Sequence, residues 1–127
     1  MGILATIFVS ITALLHVYIF VMESIQWRKP IIWKRFGLAN QADADTTAPL
    51  AYNQGFYNLF LAIGAALGIV LFHTAAHEAG FTLAVFSMAS IVLAAVVLLS
   101  TGRERIRAAA LQGAPALLGL VFLLIAG

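Results

Sequence analysis

The sequence predicts an all-α fold, a polytopic membrane protein built as a bundle of four transmembrane helices. Of its 127 residues, 63% are apolar and only 9% are charged, whereas a soluble domain is about half apolar and about a quarter charged. The mean hydropathy is +1.03. The apolar residues gather into four runs, residues 3–22, 49–72, 81–99 and 108–126. At about 1.5 Å per residue, each run is long enough to cross a hydrocarbon layer about 30 Å thick. The connections between runs are too brief to fold alone, so residues 1–127 are expected to form a single four-helix transmembrane domain. With no cysteine in the chain, disulfide frameworks, thiolate metal sites and cysteine nucleophiles are excluded.

The first run carries no charge from Ile3 to Met22 and ends at Glu23. It lacks the basic start and small-residue cleavage site of a signal peptide and is expected to be retained. The second run is expected to start after Thr46 and Thr47 as caps, with Pro49 in its first turn. Its helix face passes from polar residues to Gly64, Ala65 and Gly68, a small-residue stripe suited to close helix packing. The third run offers a narrow face of Ala84, Ser87, Ser90 and Ala94 for the same purpose. The fourth is interrupted only by Pro115, which a helix in lipid tolerates.

All seven basic residues fall in two connections: Arg28, Lys29, Lys34 and Arg35 in one, Arg103, Arg105 and Arg107 in the other. Short loops rich in Lys and Arg stay on the cytoplasmic side. Segments 23–48 and 100–107 are therefore expected in the cytoplasm, with both termini on the other side of the membrane. The same distribution accounts for the net charge of +2 through orientation and contact with anionic membrane lipid, without nucleic acid. Trp27, Trp33 and Phe36, interleaved with four of these basic residues, read as an amphipathic segment on the inner leaflet or as a lid over a ligand entrance.

Polar groups inside a membrane are costly, so their positions carry functional information. His16 and Glu23 are seven positions apart and about 20° from eclipsed on an ideal helix. Tyr18 is turned by about 200° from His16. On the second helix Asn53, Gln54, Tyr57 and Asn58 fall within an arc of about 140°. Gln112, on the fourth, lies about one and a half turns inside Arg107. All these groups fall at cytoplasmic or middle depth, and the outer half holds no comparable set.

That asymmetry suits a pocket open to the cytoplasmic leaflet that binds a small lipophilic molecule. In it Asn53, Gln54, Tyr57, Asn58 and Gln112 hold the ligand's polar atoms. His16 and Glu23 are the groups able to isomerise or otherwise transform it by acid–base chemistry. The same amides also suit interhelical hydrogen bonding alone, as in a non-catalytic structural or accessory subunit of a membrane complex. A small transporter is a third reading, and it calls for polar groups through the full depth. No hydrolase triad, phosphate loop or zinc motif is present. His73 and His77 lack a third ligand, so no metal is expected. The residues do not identify a cofactor. Four short helices bury limited surface among themselves, so a homo-oligomer is expected.

His16, Tyr18 and Glu23, the basic Trp-containing loop with Phe36, and the stretch Asn53-Gln54-Gly55-Phe56-Tyr57-Asn58 before Phe60-Leu61-Ala62 together resemble a bacterial family of small four-helix membrane proteins. That family is known as domain of unknown function 1304. The resemblance covers nearly the whole chain and implies the fold. It carries no activity. In plan the chain is also similar to the trimeric membrane enzymes of eicosanoid and glutathione metabolism and to the haem-containing styrene oxide isomerases, analogies of architecture that do not transfer function. It lacks the arginines and glutamate of the first group around its second-helix Asn. From the second it differs by Tyr52 and the absence of a histidine at that helix's start.

Overall fold

A computed structural model describes all residues, 1–127, and contains no strand. Four helical stretches, Gly2–Ile25, Gln41–Phe72, His77–Ser100 and Arg103–Ala126, are long and apolar enough to cross a membrane. They fit a multi-pass membrane protein. Large apolar side chains lie bare along them, among them Ile3 at 77% and Phe86 at 68% exposure. Such long apolar helices with bare greasy faces suit lipid rather than water.

Helix α1 (Gly2–Phe20) passes directly into a π-helical turn, Val21–Ile25, closed by the Gln26 amide donating to the Val21 carbonyl at 2.9 Å. The first helix thus runs past Met22. Pro30 then opens the short α2 (Pro30–Arg35), as its preset φ and missing N–H allow at a first helical position. Two residues beyond α2, Gly37 has a φ of +84°, the left-handed conformation that commonly follows a helix end. Two amides close that stop, Gly37 on the Lys34 carbonyl and Leu38 on the Trp33 carbonyl, at 3.0 and 3.2 Å.

Helix α3 (Gln41–Phe72) begins about two turns before the expected start at 49. Asn40 is its cap, with Oδ1 accepting the Asp43 amide at 2.8 Å. The expected caps, Thr46 and Thr47, instead donate their hydroxyls back to the carbonyls of Ala42 and Asp43 at 2.9 and 2.8 Å, and Pro49 lies inside the helix. Helix α4 (His77–Ser100) likewise starts a turn early. It follows a tight turn in which the Thr74 hydroxyl accepts the Ala76 amide at 3.1 Å. A 3-10 turn, Arg103–Arg105, leads into α5 (Ile106–Ala126), which carries Pro115 internally.

The chain divides into two compact units. The first comprises residues 1–15 and 61–127, where segments of α1, α3, α4 and α5 form a bundle. Its core is built from Ala5, Val9 and Ala13, Ala65, Ile69 and Phe72, Ala84, Met88 and Ile91, and Ala116 and Leu123. Small residues let the backbones close. A Cβ on Gly68 would lie 2.6 Å from the Ala84 amide nitrogen and 2.9 Å from its Cα, and one on Gly64 would lie 2.8 Å from the Ser87 Oγ. The small-residue stripes of α3 and α4 therefore meet each other. Phe8 stacks on Phe122 at 5.6 Å.

The second unit, residues 16–60, holds the end of α1, the π turn, α2 and the first half of α3. Hydrogen bonds knit it. Trp27 donates its indole N–H to the Ala44 carbonyl at 3.1 Å, and Trp33 donates to Gln41 Oε1 at 3.1 Å. Gln41 in turn donates to the Arg28 carbonyl and to Asp45, both at 3.1 Å. Trp33, at 5% exposure, is thus a core residue of this unit as well as an aromatic of the basic segment.

Candidate functional site

The π turn brings the polar end of α1 onto α3. A π turn is wider than an α turn, so angular positions counted on an ideal helix no longer hold beyond Val21, and such turns recur at functional sites. Within this turn Glu23 and Ser24 both engage α3. Asn58 donates from Nδ2 to Glu23 Oε1 at 2.6 Å and to the Gln54 carbonyl at 3.1 Å. The Ser24 hydroxyl donates to the Tyr52 carbonyl at 2.8 Å. Gly55 makes this approach possible, because a Cβ there would collide with the Ser24 hydroxyl and lie 3.0 Å from the Ser24 backbone nitrogen.

Beside this contact lies an open cleft of about 280 Å³, lined by Glu23, Ser24, Ile25, Trp27, Arg28, Ala48, Pro49 and Tyr52. Arg28 is paired with Asp45, with Nη1 to Oδ1 at 3.0 Å and side-chain exposures of 64% and 48%. Trp27 packs against Phe36 at 4.9 Å. Tyr52 packs against Phe56 at 4.9 Å, and Phe56 meets Phe20 edge-on at 5.0 Å. The cleft therefore offers a carboxylate, a guanidinium, a hydroxyl and two aromatic walls.

The residues expected from the sequence separate here. Glu23 and Asn58 are brought together. His16 is buried, at 1% exposure, and does not line the cleft. Asn53 and Gln54 are exposed and Tyr57 is 54% exposed, all three outside the lining set. Gln112 is half-buried and belongs to the other unit. Tyr18 accepts a hydrogen bond from Arg35 at 2.7 Å. Sequence reasoning missed Ser24, Arg28 and Tyr52 as cleft residues. Their signal was present in a hydroxyl next to Glu23 and in an aromatic one turn before Phe56, but the π turn that aims them is not a property of any single residue.

His73 and His77 are engaged structurally. His73 Nε2 meets the Thr6 hydroxyl at 2.7 Å, and His77 Nδ1 meets the Phe72 carbonyl at 2.7 Å. No group of three or more His, Asp or Glu side chains is placed to hold a metal ion.

Over residues 10–124 the chain matches the family model described as protein of unknown function (DUF1304), and it belongs to that family. No curated protein and no solved structure matches it.

Proposed function

We propose that this protein is a multi-pass protein of a bacterial inner membrane that binds a small lipophilic molecule carrying a polar head, held in the cleft of residues 16–60. The observation that carries this reading is the cleft itself. Charged, hydroxyl and aromatic groups converge at the end of the first membrane-length helix, where lipid gives way to headgroups. Segments 23–48 and 100–107 then face the cytoplasm and both termini lie outside, since Arg28, Lys29, Lys34, Arg35, Arg103, Arg105 and Arg107 are all exposed in those two segments. Glu23 is the proton-exchanging group of the cleft, held in place by Asn58. Any acid–base transformation of the ligand falls to it rather than to His16, which lies outside the lining set. Self-association belongs to the same reading: the bare apolar side chains along all four helices suit a second copy as well as lipid.

The reading is tested by extracting the full chain in mild detergent and recording native mass spectra. A bound small amphiphile is expected on the wild-type protein and is expected to be depleted in Tyr52→Ala and Glu23→Gln. Wild-type protein that carries no adduct, and takes up none from total lipid extract, overturns it.

A further inference from the structure

Glu23 and Arg28 line one cleft, yet each is anchored outside the pair. Glu23 Oε1 is bonded by Asn58, and Arg28 Nη1 is bonded by Asp45. A carboxylate has two oxygens and a guanidinium has five N–H donors, so each keeps free bonding capacity. Opposite charges that share a cleft without pairing suit a ligand carrying both charges in the reverse order. Trp27 and Tyr52 line the same cleft, and aromatic faces attract a cationic group.

Size narrows the ligand further. At about 280 Å³ the cleft falls at the lower end of the range for small-molecule sites, about 300–1,000 Å³, so it has room for a headgroup, with acyl chains left against the bare apolar surface of the helices. Accepting the ligand-binding reading above, we propose that the cleft recognises a zwitterionic phosphoethanolamine group: the primary ammonium donates to Glu23 and the phosphate accepts from Arg28. A guanidinium and a phosphate make strong, charge-assisted hydrogen bonds. A primary ammonium has three N–H donors, which a quaternary one lacks.

The test is a competition read by native mass spectrometry on the detergent-solubilised full chain with equal amounts of dioleoyl phosphatidylethanolamine, phosphatidylcholine and phosphatidylglycerol. Losing one charge-assisted hydrogen bond costs about tenfold in affinity. Phosphatidylethanolamine is therefore expected about tenfold above the other two. Glu23→Gln is expected to level the three lipids, and Arg28→Gln to weaken all of them. Lys29→Gln, at an exposed cation outside the cleft lining, is expected to retain the preference. Displacement of the lipid by millimolar free phosphoethanolamine would assign the site to a soluble ligand of the same chemistry, and resistance to it would assign the site to the lipid. Equal binding of all three lipids by the wild-type protein overturns the headgroup assignment while leaving the amphiphile cleft standing. Binding of none of the three also overturns the headgroup assignment, and the amphiphile reading falls with it only if total lipid extract gives no adduct either.

Discussion

The two units of this protein hold themselves together by different means. In residues 1–15 and 61–127 the core is Ala, Val, Ile, Leu, Met and Phe, and glycines let the helices touch backbone to backbone. In residues 16–60 the named contacts are donors meeting acceptors: Trp27 and Ala44, Trp33 and Gln41, Asn58 and Glu23. Lipid is as apolar as leucine, so helices inside it associate through close fit rather than through exclusion of water. A segment that must turn, re-enter and present polar groups needs its hydrogen bonds satisfied internally. Close fit tolerates no added volume, while a hydrogen-bonded segment tolerates volume better than the loss of a donor.

Substitutions can break this contrast at four points. The largest effect is expected from Gly68→Val, whose Cβ would press on the Ala84 backbone. It should lower stability by about 3 kcal/mol in equilibrium unfolding by SDS, and unchanged stability would mean that α3 and α4 do not touch there. Next comes Asn58→Leu, which strips the donor from a half-buried carboxylate. It should lower stability by about 2 kcal/mol. Asn53→Leu, at an exposed carboxamide five residues earlier in the same helix, should stay within about 0.5 kcal/mol. Equal effects from the two would erase the distinction between the bonded and exposed amides.

Gly55→Ala ranks third, at about 1.5 kcal/mol, because its new methyl meets mainly a side chain, Ser24. Adding Ser24→Gly should recover part of the loss, and a double-mutant cycle with no coupling would deny the contact. The smallest effect is expected from Asp45→Asn. The Arg28 pair is largely exposed, so its removal should change stability by no more than about 0.5 kcal/mol and by nothing measurable at high salt.

Much of the fold was legible because apolar run length and the bilayer's thickness are linked by the helical rise alone, whatever the neighbours. That Gly64, Gly68, Ala84 and Ser87 lie on packing faces was legible for a related reason, since small residues at helical spacing have few other uses in lipid, but which face meets which was not. Helix starts were less so. Asn40, Thr46 and Thr47 are all good caps, and the sequence offers no means of choosing among them. The candidate site was legible only in its acid and one amide. Reading depth from the sequence grouped His16, Asn53, Gln54, Tyr57 and Gln112 with Glu23 because they share a level, but a shared level does not determine which side chains meet, and the π turn also displaces the azimuth counted from His16 to Glu23.

What the amino acids determined unaided was the membrane-length helices, the family and the sorting of basic residues into two segments, since each depends on composition within a single stretch of chain. Only the tertiary structure decided that Glu23 faces Asn58, that Arg28 and Tyr52 join it around one cleft, and that His16 is buried outside that cleft. Those pairings bring together residues from separate helices, through one wide turn and one glycine that lets two backbones meet. No local pattern encodes where such a meeting falls.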